Sequence, residues 1–247
     1  MKNKPLLSAS KISRSYRIGA FIKRRKQILS NIDIDINKGE IVGCVGQSGS
    51  GKSTLSRIIT LLEKPDTGKI LFEGQPADAK DIRFRKSVQM VFQNPINSFD
   101  PTKTIGKSMK EPFNGFSMKY DKEKIELLFD RMRLPLSILS KKPYEISGGM
   151  AQRAAIARSL IADPKLLVLD EATSSLDATI QFELVNLLFE IQEHNNISFF
   201  VVSHDLELIN FMTSRVYVIY DGRIVESGNT KEVYNNPQNK YTKKLLK

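Results

Sequence analysis

The stretch IVGCVGQSGSGKST, residues 41–54, decides the fold of this chain. It begins with a short apolar run, passes through glycine-rich sequence and leads into TLSRIITLLE (54–63), whose pattern is typical of a helix. Residues 46–54 satisfy the pattern G-x-x-x-x-G-K-[ST] in the strand–loop–helix context that this pattern requires. A chance glycine-rich turn does not account for that context. The sequence therefore predicts a loop that binds the phosphates of a nucleotide.

The chemistry of this loop follows from its residue types. Glycine lets the backbone curl so that several N–H groups point at one phosphate, and the helix beginning near Lys52 aims its partial positive charge there. We expect the Lys52 ammonium to neutralise the β- and γ-phosphates and the Ser53 hydroxyl to bind Mg²⁺. The residues predicted to bind the nucleotide here are Gly46, Ser48, Gly49, Ser50, Gly51, Lys52, Ser53 and Thr54.

A second apolar run, residues 166–169, ends in the two carboxylates of Asp170 and Glu171. An acidic pair after a strand is often only a helix cap or a turn, but the phosphate loop favours a further role. Asp170 at the tip of the strand can reach the Mg²⁺ shell of a bound nucleotide. Glu171 beside it can orient and polarise an attacking water. The pair therefore predicts nucleotide hydrolysis.

Further strand patterns indicate an α/β fold. FFVVS (199–203) and VYVIY (216–220) are short and rich in β-branched or aromatic residues, as expected for buried strands. IDIDI (32–36) alternates as an antiparallel strand with one solvated face does. A helical stretch at 180–193 separates two of the buried runs, and strands that alternate with helices are typical of an α/β sheet.

The middle of the chain differs from the rest. Residues 94–162 carry no strong strand signal, while 121–133 and 148–162 have helical patterns. We therefore predict a helical insertion within the α/β core, not an independent domain.

Positive charge is concentrated towards the two ends of the chain. With 38 Lys and Arg against 27 Asp and Glu the net charge is +11, which first suggests nucleic acid or an anionic membrane. Residues 1–32 and 240–247 carry this excess, and the rest is nearly neutral, which weakens the nucleic-acid interpretation. The densest run, KRRK at 23–26, fits a solvated hairpin loop. Contact with anionic lipid or a membrane partner is the alternative, followed by nucleic acid.

The composition excludes several classes of protein. A single Cys leaves no disulfide framework, and one Cys with two His leaves little room for a zinc site or a Cys-rich cluster. The longest apolar runs fall far short of the roughly 20 residues of a membrane-spanning helix. The N-terminal residues lack the apolar core of a signal peptide. We therefore expect a soluble protein of the cytosol.

The order of the motifs resembles one family. ISGGMAQR (146–153), upstream of the acidic pair, resembles the LSGGQ-type signature of the ATP-binding cassette (ABC) ATPases. In the same way VFQNP (91–95) is similar to the family's glutamine loop, SSLD (174–177) to its dimer-interface loop and VVSHD (201–205) to its switch histidine. With the phosphate loop and the acidic pair, these ordered motifs extend over nearly the whole chain.

The resemblance implies a set of roles around ATP and Mg²⁺. Tyr16 is placed like the aromatic residue that stacks on adenine, although Phe21 lies nearby and the basic loop blurs the spacing. An ordinary loop amide and an ordinary strand-end histidine are the alternatives at Gln93 and His204. The implied catalytic residues are Lys52, Gln93, Glu171 and His204. The implied Mg²⁺ ligands are Ser53, Gln93 and Asp170.

The signature implies an ATP site shared between two subunits. In the family, signature residues contact the ATP held by the partner's phosphate loop, which points here to Ser147, Gly148, Gly149 and Met150. Asp177 is implied to cross the dimer interface. Ile146 replaces the usual Leu, and Met150 replaces the usual Gln and removes its polar contact. The serine hydroxyl and the glycine amides at a predicted helix N-terminus remain.

The resemblance also implies an architecture. Residues 1–247 form a single ABC ATPase domain with a P-loop (RecA-like) α/β core, an N-terminal antiparallel β subdomain and an inserted helical subdomain that carries the signature. The predicted boundaries are 1–93 and 163–230 for the core, 94–162 for the helical subdomain and 231–247 for a short tail. One phosphate loop and one signature imply half of a dimer in which two ATP molecules are sandwiched.

Two segments point to a branch of the family. QNPINSFDP (93–101) and NPQNKYTKKLL (236–246) resemble segments of ATPase subunits from oligopeptide, dipeptide and nickel importers, with Asn239-Lys240 in place of His-Pro. The chain ends at Lys247 without further Cys, so we expect the short subunit type that lacks an iron–sulfur extension. The implied partners are a second ATPase subunit that is a different chain, two transmembrane permease subunits and an extracytoplasmic substrate-binding protein. The implied location of this chain is the cytoplasmic face of the cell membrane.

Two other functions remain as alternatives. An exporter ATPase would share all the catalytic motifs, and only the two branch segments disfavour it. A soluble ABC protein acting on nucleic acid or ribosomes is prompted by the basic ends of the chain, but such proteins usually fuse two cassettes or carry long coiled-coil insertions. We therefore expect an importer subunit without a nucleic-acid partner.

Overall fold

A computed structural model describes residues 4–18, 24–172 and 178–246. The chain divides into two compact units, unit 1 with residues 1–84 and 198–247 and unit 2 with residues 85–197. In chain order the elements are β1 (Leu7–Ile18), β2 (Arg24–Ile36), β3 (Ile41–Val45), α1 (Lys52–Ile59), β4 (Thr67–Phe72), β5 (Gln75–Pro76), α2 (Ile82–Ser87), β6 (Val88–Val91), α3 (Ile105–Gly115), α4 (Lys122–Arg131), α5 (Gly148–Leu160), β7 (Leu166–Asp170), α6 (Ala178–Asn195), β8 (Ser198–Val202), α7 (Leu206–Met212), β9 (Arg215–Tyr220), β10 (Arg223–Asn229), α8 (Thr230–Asn235) and α9 (Lys240–Leu245).

Unit 1 contains an antiparallel sheet in the order β2-β1-β4-β5. Alternation along β2 explains its place, because Ile32, Ile34 and Ile36 are buried while Asp33 between them is exposed. The predicted antiparallel strand with one solvated face is confirmed. This sheet is the N-terminal antiparallel β subdomain that the fold class anticipated.

The basic run at 23–26 lies only partly in a loop. Residues 19–23 are outside the described part of the chain, but β2 already begins at Arg24 and pairs Arg24, Arg25 and Lys26 with β1. The Arg25 guanidinium binds Asp66 at 2.9 Å. The expectation of a loop is therefore wrong for these three residues, because strand pairing extends the hairpin through them, whereas Arg25 and Lys26 are exposed to solvent as expected.

The second group of strands in unit 1 is centred on β3, which pairs in parallel with both β8 and β9, while β10 lies antiparallel against β9. Every residue of β3 and of β8 is buried. Continuous apolar runs are what parallel strands need when both faces are covered. The predicted buried strands are thus confirmed, each within one residue of its expected bounds.

The helix after the phosphate loop is shorter than predicted. The pattern at 54–63 favoured a helix to Glu63, but α1 ends at Ile59. Leu61 has a left-handed φ of 56°, and the Glu63 N–H donates to the Arg57 carbonyl, which closes the helix end. The Glu63 side chain then accepts hydrogen bonds from Arg14 and Tyr16 of β1 and from Arg57 of α1.

Unit 2 pairs β6 with β7 in parallel, with Val88 opposite Leu166. Residues 94–162, all of them described, form α3, α4, α5 and short 3₁₀ turns without any strand, and the predicted helices at 121–133 and 148–162 appear as α4 and α5. The α/β fold class is confirmed. The subdomain boundaries predicted from the sequence stay a prediction.

Candidate functional site

The phosphate loop joins β3 to α1 in unit 1, and two of its glycines adopt backbone angles that favour glycine. Gly49 has φ 78° and Gly51 has φ 108°. A Cβ atom on Gly51 would lie only 2.6 Å from Leu29 Cδ2. The loop therefore curls over the N-terminus of α1 because glycine stands at these positions, as the sequence pattern predicts.

Lys52 is buried under this loop, with 4% of the residue exposed. Its ammonium donates to the Gly46 carbonyl at 2.7 Å and to the Gln47 carbonyl at 3.1 Å. A buried ammonium is expensive unless it is paired with hydrogen-bond acceptors, and the loop supplies them. Curled backbone, helix N-terminus and buried cation together make a site that attracts a multiply charged anion.

Tyr16, the predicted adenine-stacking residue, lies on β1 in a charged cluster. Its hydroxyl donates to Glu63 at 2.5 Å, and the Arg14 guanidinium lies 5.0 Å from the centre of its ring. Arg14 and Arg57 also bind the Glu63 carboxylate, at 2.7 and 3.3 Å. Burial opposes ionisation, but hydrogen bonds from Tyr16, Arg14 and Arg57 outweigh it and hold the pKa of Glu63 below its ordinary value. Glu63 thereby holds the hydroxyl of the tyrosine, and Arg14 covers one face of its ring.

His204 stands in unit 1 between the end of β8 and the start of α7, and its side chain is exposed. The next residue, Asp205, caps α7 by accepting the Leu208 N–H at 3.0 Å. The Asp205 N–H in turn donates to Ser203 Oγ at 2.9 Å. The turn that presents His204 is therefore held on both sides of the histidine.

In unit 2 the acidic pair follows β7 as predicted. Asp170 ends the strand and is 5% exposed, whereas Glu171 is half-buried. Glu171 has a left-handed φ of 50°, a conformation that costs a non-glycine residue about 1–2 kcal/mol. The Gln93 amide, at the start of the segment that follows β6, donates to Glu171 Oε2 at 2.8 Å. The structure thus brings together two residues that the sequence predicts to act in hydrolysis.

The signature residues open α5, also in unit 2. Ser147 caps the helix by accepting the Met150 N–H on its hydroxyl at 3.2 Å. Ser147 and Gly148 are exposed, Gly149 is buried and Met150 is half-buried. A Cβ atom added to Gly148 would meet nothing within 4 Å. The fold of the described chain therefore does not itself require glycine at this position.

Sequence reasoning did not foresee two contacts of the predicted residues. One further predicted residue lies outside the part of the chain that the structure describes. Asp177 falls in residues 173–177, which the structure does not describe. The contact between Tyr16 and Glu63 spans 47 positions, and the contact between Gln93 and Glu171 spans 78. No local pattern signals contacts at such separations.

The donor atoms predicted for Mg²⁺ are a hydroxyl, an amide and a carboxylate, from Ser53, Gln93 and Asp170. These hard oxygen ligands fit magnesium, which prefers few protein ligands and keeps several waters. Within residues 4–18, 24–172 and 178–246 no three His, Cys, Asp or Glu side chains are grouped so as to hold a metal ion. Across the same residues, no helix has the length and apolar character that crossing a membrane requires.

A glycine-curled loop over a buried lysine, set between a parallel strand and a helix, defines a protein that binds nucleoside triphosphates. The family profile for ABC transporters matches residues 29–174. The dipeptide transport ATP-binding protein DppF of Haemophilus influenzae is 36% identical, over 99% of this chain and 78% of its own length. The oligopeptide transport ATP-binding protein AppF of Bacillus subtilis is 41% identical, over 88% and 69% respectively.

Solved structures agree with this assignment. CbiO1 from Clostridium perfringens, part of the ABC transporter complex cbiONQ, has a TM-score of 0.80 and 28% identity over 95% of this chain and 92% of its own. The post-hydrolysis dimer of the ATP-binding cassette MJ0796, bound to ADP and phosphate, has a TM-score of 0.80 and 26% identity over 91% and 98%. The chain belongs to the ABC transporter family and is an ATP-binding subunit that hydrolyses ATP. The relatives do not favour the exporter alternative.

Proposed function

We propose that this subunit energises the import of peptides by hydrolysing two ATP molecules held between itself and a second ATPase subunit. The observation that carries the proposal is the buried Lys52 ammonium beneath the glycine-curled loop. The similarity to dipeptide and oligopeptide transport proteins supports peptides as cargo. The sequence left nickel or a metal chelate open as alternative cargo. We favour peptides because DppF and AppF are peptide transport proteins.

The phosphate loop binds the triphosphate in this proposal. Backbone N–H groups of residues 46–54 surround the β-phosphate, and Lys52 neutralises charge on the β- and γ-phosphates. Ser53 and Asp170 supply oxygen ligands to Mg²⁺, with Gln93 as a third. The metal ion contributes charge neutralisation at the γ-phosphate when it is bound.

Glu171 acts on the attacking water. Its carboxylate is held by the Gln93 amide at 2.8 Å, so its orientation depends on the segment that follows β6. A carboxylate in that position accepts a proton from the water as it attacks the γ-phosphorus. His204 contacts the γ-phosphate, and the hydrogen bonds of Ser203 and Asp205 keep the backbone on both sides of it in place.

The remaining predicted residues bind the ends of the nucleotide. Tyr16 stacks on adenine with the ring face opposite Arg14, which already covers the other face. Ser147, Gly148, Gly149 and Met150 contact the γ-phosphate of the ATP bound to the partner subunit, with donors at the N-terminus of α5. Asp177 contributes to the same dimer interface.

The proposed partners follow from this arrangement. A second ATPase subunit completes the two sites, two permease subunits form the pathway through the membrane, and an extracytoplasmic binding protein delivers the peptide. The subunit is then peripheral, at the cytoplasmic face of the membrane. Loss of γ-phosphate on hydrolysis removes the bridge between the ATPase subunits, and the resulting open–closed equilibrium drives the permeases.

The decisive experiment measures ATP-driven uptake of a labelled peptide by the transporter purified with its native membrane subunits and reconstituted in vesicles. We expect Lys52→Ala to abolish ATP binding, uptake and hydrolysis at its own site. Glu171→Gln should keep ATP binding but lower hydrolysis at this site by at least about 10²-fold. The matched control is Lys64→Ala, which removes an exposed lysine of the same unit and should change neither.

Different results would contradict the catalytic role of Glu171 and the peptide cargo. Unchanged hydrolysis in Glu171→Gln would remove that residue from the catalytic step. ATP-driven uptake of Ni²⁺ without uptake of any peptide would replace the cargo while leaving the ATPase chemistry intact.

A further inference from the structure

The C-terminal tail, residues 236–246, reaches the phosphate loop. The Gln47 N–H donates to the hydroxyl oxygen of Tyr241 at 3.0 Å. Gln47 is the second residue of the loop, and Tyr241 lies in α9 near the end of the chain, 194 positions away. Both residues belong to unit 1. The tail thus contacts the backbone of the predicted nucleotide site directly.

Two contacts hold Tyr241 in place, one made by its ring and one by its backbone N–H. Its ring lies on Tyr220, with centroids 4.1 Å apart and planes inclined by 32°. Its N–H donates to the Asn239 side chain at 2.8 Å, which caps α9. The hydroxyl is therefore presented to the loop by a seated side chain.

A carboxylate on β10 anchors the tail itself. Glu226 accepts the N–H of Gln238 at 2.7 Å and the N–H of Asn239 at 3.0 Å. Burial would raise the pKa of Glu226, but hydrogen bonds to its carboxylate, including those from Gln238 and Asn239, hold it below the ordinary value. The anchor is thus charged at neutral pH, and Thr242 beside Tyr241 is fully buried.

The loop is held from the same side at a second point. The Gly222 N–H donates to the Ser50 carbonyl at 3.2 Å, and the Gly222 carbonyl accepts the Ser30 N–H at 2.8 Å. Between the two supported residues, Ser48 and Gly49 are exposed, and a Cβ atom on Gly49 would meet nothing within 4 Å. The bond from Gln47 to Tyr241 therefore lies at the start of the loop's open tip.

We propose that Tyr241 is a positioning residue for the phosphate loop. By accepting the Gln47 N–H it fixes the backbone before the open tip, so the loop is already curled when the triphosphate arrives. When the loop is already ordered, less of the free energy of ATP binding is lost to ordering it. This inference rests on the proposed role of the loop in binding ATP. Reciprocity requires that bound ATP also holds the tail more firmly on the loop.

The test compares two tyrosines of the C-terminal region in the purified transporter. Tyr241→Phe keeps the ring on Tyr220 and removes only the acceptor oxygen. The control Tyr234→Phe removes a phenol hydroxyl that donates to the Leu206 carbonyl at 2.8 Å, away from the loop. We expect Tyr241→Phe to raise the KM for ATP by about three- to tenfold with kcat changed less than twofold, because one neutral hydrogen bond is lost. Tyr234→Phe should leave both parameters unchanged.

A second variant approaches the same bond from the other side. Gln47→Pro deletes the N–H donor but keeps the carbonyl that Lys52 and Ser50 bind. In this background Tyr241→Phe should have no further effect on KM, whereas independent roles would give multiplied effects. Hydrogen exchange of the Gln47 amide without nucleotide should quicken in Tyr241→Phe and stay slow in Tyr234→Phe.

Two results would overturn the inference. One is an equal change of KM in Tyr241→Phe and Tyr234→Phe, since that would indicate a general loss of stability. The other is an unchanged KM together with an unchanged exchange rate of the Gln47 amide in Tyr241→Phe. Failure of the proposed function has a different signature, because Lys52→Ala would then leave ATP binding unaltered in the wild-type background.

Discussion

Glu63 shows how one residue can organise a predicted site without belonging to any motif. It accepts hydrogen bonds from the Tyr16 hydroxyl and from the guanidinium groups of Arg14 and Arg57. Two arginines and a phenol around one carboxylate favour its ionised form, although partial burial opposes it. The tyrosine that we propose to stack on adenine is thus tied to α1 through an anion that must stay charged.

This arrangement predicts a pH-dependent loss of stability that depends on Glu63. Its folded pKa is depressed, so its contribution is fully present above the unfolded value of about 4.3 and is lost as pH falls through the folded pKa. Glu63→Gln should therefore lower the free energy of unfolding by about 1–2 kcal/mol at pH 7. The difference from wild type should shrink below about pH 4. Urea unfolding of the full chain at both pH values measures this.

A matched substitution controls for the loss of one negative charge. Glu207→Gln removes an exposed carboxylate of the same unit and should change stability by no more than about 0.5 kcal/mol at either pH. If Glu63→Gln behaved like Glu207→Gln at pH 7, the cluster around Tyr16 would contribute nothing to the fold.

The residues of the site divide into those a sequence can reveal and those it cannot. The positions of Lys52, Asp170 and Glu171 were predictable because each follows from neighbours a few positions away, after a buried strand. Glu63 and Tyr241 were not, because their partners lie 47 and 194 positions away and are chosen by tertiary packing. Neither residue stands in a pattern that indicates its contact.

Among the elements, α5 is where the requirements of the fold and of the proposed function separate. Ser147 caps it, and this cap is a local need of the helix. Gly148 meets no local need, because an added Cβ atom would enter open space and its φ is not left-handed. A glycine without a structural reason fits a surface that something else approaches closely, and in our proposal this is the phosphate of ATP bound to the partner subunit.

Three glycine substitutions in unit 2 test this separation. Gly148→Ala should leave stability unchanged or raise it by up to about 1 kcal/mol, yet lower ATP hydrolysis of the assembled transporter by about 10²-fold. Gly115→Ala, which also enters open space at the end of α3, should change neither. Gly106→Ala should destabilise the fold, because its Cβ would lie 2.8 Å from the Leu139 carbonyl. Thermal unfolding and steady-state ATPase assays on the same preparations supply both readouts.

The elements also show where sequence patterns stop being informative. Buried strands such as β3 and β7 were predictable to the residue because every position is buried and, apart from Asp170 at the end of β7, none is charged. The strand β6 was missed because four residues, half of them partly exposed, carry no periodic signal. The helix α1 was predicted too long because its end is set by Leu61 and by the partners of Glu63, not by local propensity.

At the scale of the whole molecule, the sequence carries one phosphate loop and one signature, and Ser147 and Gly148 of the signature are exposed. We propose that they bind a ligand held by another subunit. The proposed dimer supplies it as the ATP of a second subunit. Affinity purification of the tagged chain from its native membranes in mild detergent, with ATP and Mg²⁺, should recover two permeases and a second ATPase in stoichiometric amounts. Glu171→Gln should retain the second ATPase more firmly than wild type, because its ATP is not consumed, and Lys52→Ala should retain it less. Recovery of the chain alone or with nucleic acid, in the soluble fraction, would contradict the transporter assembly while leaving the ATPase chemistry of the chain in place.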